Sequence, residues 1–392
     1  MEATLQEEKF IDFGKDGLYP FARTGLCSIE SDDPKALKAQ VRQYVPKEPG
    51  VYGMLDPLGR LVYVGKSKCL RNRLLSYFMP NNEEDKAGRI VQSTATIVWE
   101  LQPSEFAALL REQFLIRHFQ PRFNVQGIPR RQQPIFVCLG RKPAEMLYTA
   151  RRFEPNASFC IGPLSGAARA SRAVEVLNRI FLLRDCSSQQ PCSFTEQLQL
   201  FDIELRPGCI RLEMETCLGP CISACSRAQY DAQVAEARSF LKGKCERPLE
   251  VLESQIQQAS DNWHFERAAV LREDQSAVNW LHRRATDLAL ARHRYTFVYP
   301  VTPYPSDAQQ RVIWYLIRRG IIEGAIAEPR GQVEEKAVGE LIHQWLASDQ
   351  SIGSEFTARP ETLALVSSWF RKHRGELKKT MSQRKIRARF AA

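Results

Sequence analysis

The sequence has no long hydrophobic run, and this absence excludes a first class of protein. None of its apolar stretches reaches the roughly 18 residues that a membrane-spanning helix needs, so we expect no transmembrane segment. The first ten residues, MEATLQEEKF, are acidic and polar, which argues against a secretory signal peptide. The 11 cysteines are an odd number without a secretion signal, which favours thiols or metal ligands in a reducing cytosol over disulfides. The sequence therefore predicts a cytoplasmic protein.

The composition is that of a globular protein with an anionic partner. Of 392 residues, 44% are apolar and 26% are charged, which suits two or three domains with cores of their own. The net charge of +10 fits nucleic acid better than a membrane surface.

A phosphate-binding P-loop is excluded by one missing glycine. Gly65-Lys66-Ser67 looks like the end of that motif, but the motif needs a glycine at position 60, where the chain has Arg60. We therefore expect no nucleotide to be bound by this chain.

The same stretch predicts a β-hairpin followed by a helix. Apolar residues at 51–55 and 61–64 flank the turn residues 56–59, and the segment 66–78 has a helical pattern. On that helix Lys66, Arg73 and Tyr77 would share one side, which is either a phosphate site or a solvated basic face.

A second stretch places a carboxylate on an apolar helix face. The segment predicts a helix from Glu105 to Phe119, capped by Ser104 and stopped by Pro121. Glu112 lies in the middle of its apolar stripe. Because burying an unpaired charge is costly, Glu112 either pairs with a buried arginine or lysine or binds a metal ion in a pocket.

Taken in order, these residues resemble a known nuclease module. Gly50-Val51-Tyr52 and Tyr63-Val64-Gly65, followed by Lys66, Arg73, Glu112 and Asn124, are similar to the GIY-YIG motif, and most similar to that of the UvrC/Cho excinuclease family. The resemblance implies an α+β fold: a small GIY-YIG domain with helices flanking an antiparallel sheet, a Cys-containing helical region, a UVR helical hairpin and a small C-terminal α+β region. The corresponding boundaries are 1–45 for an N-terminal extension, 46–126 for the nuclease domain, 127–245 for the connecting region, 246–283 for the hairpin and 284–392 for the C-terminal region.

The resemblance also implies a metal and a phosphate clamp. Glu112 would bind one Mg²⁺ or Mn²⁺, which stabilises the leaving oxygen and the charge that develops on phosphorus. Arg73 would hold the scissile phosphate through its fork of N–H donors.

In the same family pattern, tyrosine would activate the attacking water. Tyr52 or Tyr63, with Lys66 nearby, would orient and deprotonate it. A free phenol has a pKa of about 10, so the metal and the neighbouring cations must lower that value or share the proton. Asn124 and Tyr77 would support the site.

Four cysteines beyond the nuclease segment resemble a cluster-binding set. Cys186, Cys209, Cys217 and Cys221 are similar to cysteines that ligate an iron–sulfur cluster in some members of the family, although the gap between the first two is longer here. Four thiolates suit an iron–sulfur cluster or zinc equally well, and free reduced cysteines remain an alternative.

Residues 246–283 have the pattern of two amphipathic helices separated by SDNWH. The run WHFERAAVLREDQSAV resembles the UVR motif through which UvrB and UvrC bind one another; an ordinary hairpin of the core is the alternative. Two helices this short do not bury their own apolar faces, which favours a partner or a dimer. The partner-binding residues implied are Phe265, Ala268, Ala269, Leu271 and Arg272.

The resemblance weakens in the C-terminal region. After residue 300 the aspartates are Asp307 and Asp349, so the Asp-Asp-His centre of a second, RNase H-like nuclease is not expected. Residues 311–327 have the pattern of two strands around a glycine-containing turn. The basic segment 371–390 either binds DNA backbone or is a solvated end.

Together these features predict a metal-dependent DNA endonuclease of nucleotide excision repair. It would make a single incision on the 3′ side of a lesion in double-stranded DNA bound by UvrB, with UvrA acting upstream. The alternatives are a catalytically idle UvrB- or DNA-binding accessory protein and a GIY-YIG nuclease outside excision repair.

Overall fold

The computed structural model describes residues 9–21, 25–79, 86–125, 135–187, 190–198, 208–304, 311–347 and 360–390. Three antiparallel sheets follow one another along the chain, with helices between and around them. Within these ranges no helix combines the length and the apolar character that a membrane span requires.

The first sheet has four strands in the order β1-β4-β2-β3. Their bounds are Cys27–Glu30 for β1, Gly50–Leu55 for β2, Leu61–Ser67 for β3 and Thr96–Leu101 for β4. The predicted hairpin is confirmed as β2 and β3, and the Asp56 carboxylate shapes its turn by accepting the N–H groups of Leu58 and Arg60.

One part of the hairpin prediction is wrong: Lys66 lies on a strand and not on a helix. The ladder continues to Ser67 because Val51 pairs with Lys66 and Gly50 with Ser67. The following helix, α2, begins only at Leu70.

Helices cover both faces of this sheet. Successive side chains of β2 point to opposite sides, as in any strand: Tyr52 and Met54 enter one core and Val51 and Leu55 enter another. On the first side lie α1 (Pro34–Tyr44), α2 (Leu70–Ser76) and α3 (Lys86–Gln92). On the second lies α4, Glu105–Phe119, with the bounds and the Ser104 cap that the sequence predicts. The short helix α5, Arg122–Val125, follows in the chain, and its Phe123 packs against the core of the first side.

The segment predicted as an N-terminal extension is built into this sheet. β1 pairs with β4, and the fully buried Arg111 of α4 ties down the chain before it. Its guanidinium donates to the carbonyls of Phe13 and Gly14 and to the Glu100 carboxylate, at 3.0, 2.6 and 3.2 Å. Burial lowers the pKa of Arg111, against the opposing charges of nearby aspartates.

The connecting region, which the sequence indicates as helical, also contains a sheet of the order β6-β5-β7. All six residues of β5 are buried, and a short apolar run of this kind cannot be told from a buried helix by periodicity. The elements are β5 Ile135–Gly140, β6 Met146–Ala150, β7 Phe159–Leu164, α6 Ala167–Ile180, α7 Thr195–Leu198, α8 Ile210–Glu213 and α9 Arg227–Leu241.

The predicted helical hairpin is present, with α10 at Arg247–Asp261 and α11 at Phe265–Arg294. Its second helix continues 11 residues past position 283 (294 − 283). It packs against α6 and against the C-terminal region, so much of the apolar face of the hairpin is covered by the chain itself.

The C-terminal region forms the third sheet, in the order β10-β9-β8-β11. The two strands predicted within 311–327 are confirmed as β9 and β10. The elements are β8 Phe297–Val301, β9 Ile313–Arg318, β10 Ile321–Ala327, α12 Gly331–Ala347, α13 Pro360–Lys372, β11 Met381–Ser382 and α14 Gln383–Arg389. Because β11 pairs with β8, the basic segment 371–390 is folded onto this sheet.

The C-terminal region also touches the nuclease helix α4. The ring of Phe106 lies 5.1 Å from that of Tyr299 and 5.2 Å from those of Tyr315 and Trp369, measured between centroids. One core therefore spans α4, the connecting region and the C-terminal region.

Candidate active site

Three tyrosines and one arginine meet on the first sheet. Tyr52 of β2, Tyr63 of β3 and Tyr77 at the end of α2 lie with ring centroids 6.0–6.2 Å apart. The phenols of Tyr52 and Tyr77 share a hydrogen bond of 2.8 Å. Arg73, one helical turn before Tyr77, donates to both phenol oxygens at 3.3 and 3.4 Å. The two phenols thus fix the orientation of the guanidinium.

The glycines of the motif are required by close packing. A Cβ on Gly65 would lie 2.5 Å from the Tyr52 hydroxyl oxygen, and one on Gly50 would lie 2.5 Å from the Glu100 carbonyl oxygen and 2.7 Å from a Leu70 methyl. Any larger residue at Gly65 would therefore move the tyrosine that holds Arg73.

The three phenols differ in how deeply they are buried. Tyr52 is fully buried, and burial, with Tyr63 nearby, raises its pKa well above the ordinary value, against the hydrogen bond from Arg73. Burial and the two neighbouring phenols raise the pKa of Tyr77 in the same direction. Both groups keep their protons at neutral pH and serve as hydrogen-bonding supports. Tyr63 is half-buried and is the most accessible of the three.

Glu112 and Lys66 lie beside this cluster. The backbone N–H of Lys66 donates to the Glu112 carboxylate at 3.0 Å, and the Lys66 ammonium pairs with Glu105 at 3.2 Å. Burial raises the pKa of Glu112, and the charges of Lys66 and Arg73 oppose that rise. The Glu112 carboxylate is therefore within electrostatic reach of both cations.

One of the two roles open to Glu112 is that of a partner in a buried salt bridge. The buried arginine next to it in sequence, Arg111, pairs with Glu100. Within the described ranges Glu112 has no ion pair within 4 Å, so it is not half of a buried salt bridge. Nor do any three His, Cys, Asp or Glu side chains described here form a ready metal site. Among the described residues a cation at Glu112 would thus find at most two such protein ligands and would take its other ligands from water or substrate.

Asn124 acts on a strand backbone. Its side-chain carbonyl accepts the Val64 N–H at 2.8 Å and its NH₂ donates to the Val64 carbonyl at 2.9 Å. β3 is the end strand of the sheet, so no further strand pairs with its outer edge. Asn124 supplies the hydrogen bonds that the backbone N–H and carbonyl of Val64 would otherwise lack at this edge. It supports the site by fixing the strand that carries Tyr63 and Lys66.

Two further residues belong to this site and were missed by the sequence analysis. Glu105 pairs with Lys66, and the Lys86 ammonium lies 5.9 Å from the centre of the Tyr63 ring. Nothing in the spacing signals them, because each meets its partner only through the packing of separate elements.

The four predicted cysteine ligands influence one another. The thiols of Cys186, Cys209 and Cys221 each act on Cys217, whose pKa burial raises to about 12. Burial also raises the pKa of Cys221 to about 11, while backbone N–H groups, against burial, lower that of Cys209. The donor chemistry fits a thiophilic metal or cluster, although these side chains are not drawn together as ligands here.

The predicted partner-binding residues divide into two groups. Ala268 and Leu271 are buried in the core of this chain, which corrects their prediction as contact residues, because their side chains pack inside the protein. Phe265, Ala269 and Arg272 are exposed. The exposed apolar surface at the start of α11 further includes Trp263, 78% exposed, and Val270, 55% exposed.

Two segments of the chain match known domain families. Residues 48–125 match the UvrC-like GIY-YIG domain, and residues 136–240 match the UvrC/Cho excinuclease middle domain. The UvrABC system protein C of Mesorhizobium japonicum is 32% identical over 235 residues, which cover 60% of this chain and 33% of that protein. The UvrABC system protein C of Mycobacterium marinum is 32% identical over 319 residues, covering 79% of this chain and 47% of that protein. The chain thus spans a third to a half of the length of these relatives.

A solved structure also matches the first part of the chain. It is the GIY-YIG N-terminal endonuclease domain of UvrC from Thermotoga maritima, bound to magnesium as its catalytic divalent cation. It is 32% identical, with a TM-score of 0.21, and the match covers 23% of this chain and 98% of that one. The two domain matches follow one another in sequence order, so over residues 48–125 and 136–240 this chain is similar to the UvrC/Cho excinucleases.

Proposed function

We propose that this protein is a metal-dependent DNA endonuclease of nucleotide excision repair. The observation that carries the proposal is the meeting of Arg73, Lys66 and Glu112 beside Tyr63, although these residues come from three different elements. Two cations and one carboxylate around an accessible phenol are suited to the hydrolysis of a phosphodiester.

Glu112 fits a divalent cation. Its half-buried carboxylate has one oxygen bonded to the Lys66 N–H and lacks an ion-pair partner within the described residues. Mg²⁺ and Mn²⁺ suit a site with one carboxylate, because such cations keep several waters and take phosphate oxygens as ligands. When bound, the cation would stabilise the leaving oxygen.

The remaining chemistry falls to the protein side chains. Arg73 is oriented by its hydrogen bonds to the two buried phenols. With its remaining N–H groups it would donate to the non-bridging oxygens of the scissile phosphate. Of the tyrosines, we assign Tyr63 to the attacking water, because burial raises the pKa values of Tyr52 and Tyr77 and leaves these two as poor bases.

We propose damaged duplex DNA as the substrate and UvrB as the partner, with UvrA upstream. The support is the match of residues 48–125 and 136–240 to UvrC-type domains, together with the exposed aromatic residues Trp263 and Phe265 at the start of α11, which offer a docking surface for UvrB. Arg272, exposed on the same helix, adds a polar contact at its rim. The single incision on the 3′ side is proposed from the resemblance of the GIY-YIG segment.

For the cysteines we propose an iron–sulfur cluster. Thiolate sulfur is the ligand such clusters take, and the thiols of Cys186, Cys209 and Cys221 lie near enough to Cys217 to influence its pKa, which supports the proposal. Binding would have to deprotonate Cys217 and Cys221, whose pKa values burial raises, so assembly would release protons.

The nuclease proposal is tested by Glu112→Gln. With UvrA, UvrB and Mg²⁺, a duplex with one bulky lesion and a label on each end of the damaged strand should be nicked once, 3′ of the lesion, by the native chain. The variant should bind the same DNA and not nick it, because it loses the cation ligand and keeps the side-chain shape. Glu323→Gln, which changes a partly buried carboxylate of the third sheet, is the matched control and should nick normally.

Nicking by Glu112→Gln at the native rate would remove Glu112 from the site. Binding without nicking by the native chain would identify an idle accessory protein instead. A second cut on the 5′ side would contradict the single incision.

A further inference from the structure

Two connected cavities lead away from the candidate active site. The first, of about 480 Å³, begins at Lys66 and Glu105 and passes between α4, the end of β7 and α13. The second, of about 290 Å³, lies beyond it, between the end of β7, α11 and α13. Both are lined by Ser165, Ser368 and Lys372, so they form one groove.

The second cavity is strongly cationic. Arg284 of α11 and Arg371 and Lys372 of α13 line it, against one carboxylate, Asp287. Arg371 pairs with Asp287 at 2.6 Å. Within the described part of the chain, Arg284 and Lys372 have no ion pair within 4 Å.

The half-buried Arg284 stands among charges of its own sign. Burial lowers its pKa, and so do the charges of Arg371 and of Arg169 on α6, with Asp287 opposing. Such an arrangement is unfavourable in the free protein and becomes favourable when an anion occupies the cavity. Serine hydroxyls from Ser165, Ser367 and Ser368 line the same cavity and add hydrogen-bond donors suited to phosphate oxygens.

The first cavity has a different wall. Leu109, Leu365 and Trp369 line it together with His373, whose ring lies 4.0 Å from that of Trp369. An apolar, aromatic wall between the Lys66–Glu105 ion pair and the cationic second cavity has the size and character to take a nucleotide base.

We propose that this groove binds the nucleic-acid strand flanking the bond that is cut. A base would rest against the Trp369–His373 wall, and the next phosphates would lie at Arg284 and Lys372. The inference rests on the proposed function, and it gives α13 and the C-terminal region the role of a clamp on the strand that leaves the active site.

The test measures binding without metal, so that cleavage plays no part. The affinity for a fluorescein-labelled duplex oligonucleotide is followed by anisotropy over a series of salt concentrations. Each phosphate contact contributes about 0.9 to the slope of log K against log salt. Arg284→Gln with Lys372→Gln should therefore lower the slope by about 1.8, the value for two contacts.

A matched control removes the same two charges elsewhere. Arg311→Gln with Lys336→Gln also changes one arginine and one lysine of the C-terminal region; Arg311 is half-buried like Arg284, and Lys336 is exposed like Lys372. This pair should leave the slope at the native value. Lys372→Gln alone, an exposed change that leaves the fold intact, should lower the slope by about 0.9.

Thermal stability separates a binding role from a structural one. Because Arg284 is crowded by like charges, Arg284→Gln should leave the melting temperature unchanged or raise it. A lower melting temperature, or a slope equal to that of the control pair, would overturn the inference, whatever the outcome of the nicking assay with Glu112→Gln. A lowered slope in a chain that never nicks DNA would uphold the groove and refute the nuclease proposal.

Discussion

Replacing Asn124 by alanine removes both hydrogen bonds that the outer edge of β3 receives at Val64. Each such bond contributes about 0.5–1.5 kcal/mol net, so the two together give about 1–3 kcal/mol. The loss is local, because both of the side-chain hydrogen bonds that Asn124 makes to described residues go to Val64. It should therefore appear as faster hydrogen exchange of the β3 amides and as a smaller change in global unfolding.

The effect on activity should be larger than the effect on folding. β3 carries Tyr63 and Lys66, and a displacement of about 1 Å at a reacting group can cost about 10²-fold in rate. We expect nicking by Asn124→Ala to fall about 10²-fold in kcat, with DNA binding in the absence of metal unchanged.

Asn124→Asp adds a dependence on pH with a defined sign. The carboxylate keeps the acceptor for the Val64 N–H but sets its second oxygen against the Val64 carbonyl, where the native NH₂ lies at 2.9 Å. Only the protonated acid restores the donor, so the folded state should raise the pKa of the introduced carboxyl above the ordinary aspartate value of about 3.9. The stability that the protonated acid contributes is then fully present below the ordinary value and is lost as pH rises through the raised one.

Asn178 supplies the matched control. Its amide accepts the Leu147 N–H at 3.0 Å and donates to the Leu147 carbonyl at 2.8 Å, the same arrangement on β6 and far from the nuclease sheet. Asn178→Ala should destabilise the chain at least as much, since Asn178 is more buried, and should leave kcat near the native value. Equal losses of kcat in the two alanine variants, or full activity of Asn124→Ala, would refute the positioning role.

Three other predictions concern Gly65, the tyrosines and the cysteines. Gly65→Ala should reduce nicking at least tenfold, because its methyl would lie 2.5 Å from the Tyr52 hydroxyl; unchanged nicking would show that Tyr52 has room to move. Tyr63→Phe should lower kcat by about 10²–10⁴-fold, the range for a lost general base, and Tyr52→Phe by less; the reverse order in a nicking assay would assign the water to Tyr52. Protein purified without oxygen should be brown, with a broad visible absorption band that Cys217→Ser removes; colourless protein with bound zinc, or with no metal, would contradict the cluster.

The local elements were determined by the sequence. Turn residues at 56–59 between two apolar runs predicted the β2–β3 hairpin, and Ser104 with Pro121 delimited α4, because both signals act over a few residues. The motif residues were also found in sequence, since their identity is set by close packing, as at Gly65, or by chemistry, as at Glu112.

Only the tertiary structure decided what those residues touch. The pairing of β3 with β2 placed Lys66 on a strand. The packing of α4 against β3 then brought the backbone N–H of Lys66 within hydrogen-bond distance of the Glu112 carboxylate. Ala268 had the residue type of a contact surface and was buried in the core that α11 shares with other elements of this chain. The groove beyond the active site is likewise lined by residues of α4, β7, α11 and α13, none of which signals the others in sequence. Local signals depend on neighbours along the chain, whereas these contacts depend on which surfaces remain to be covered once the elements have formed.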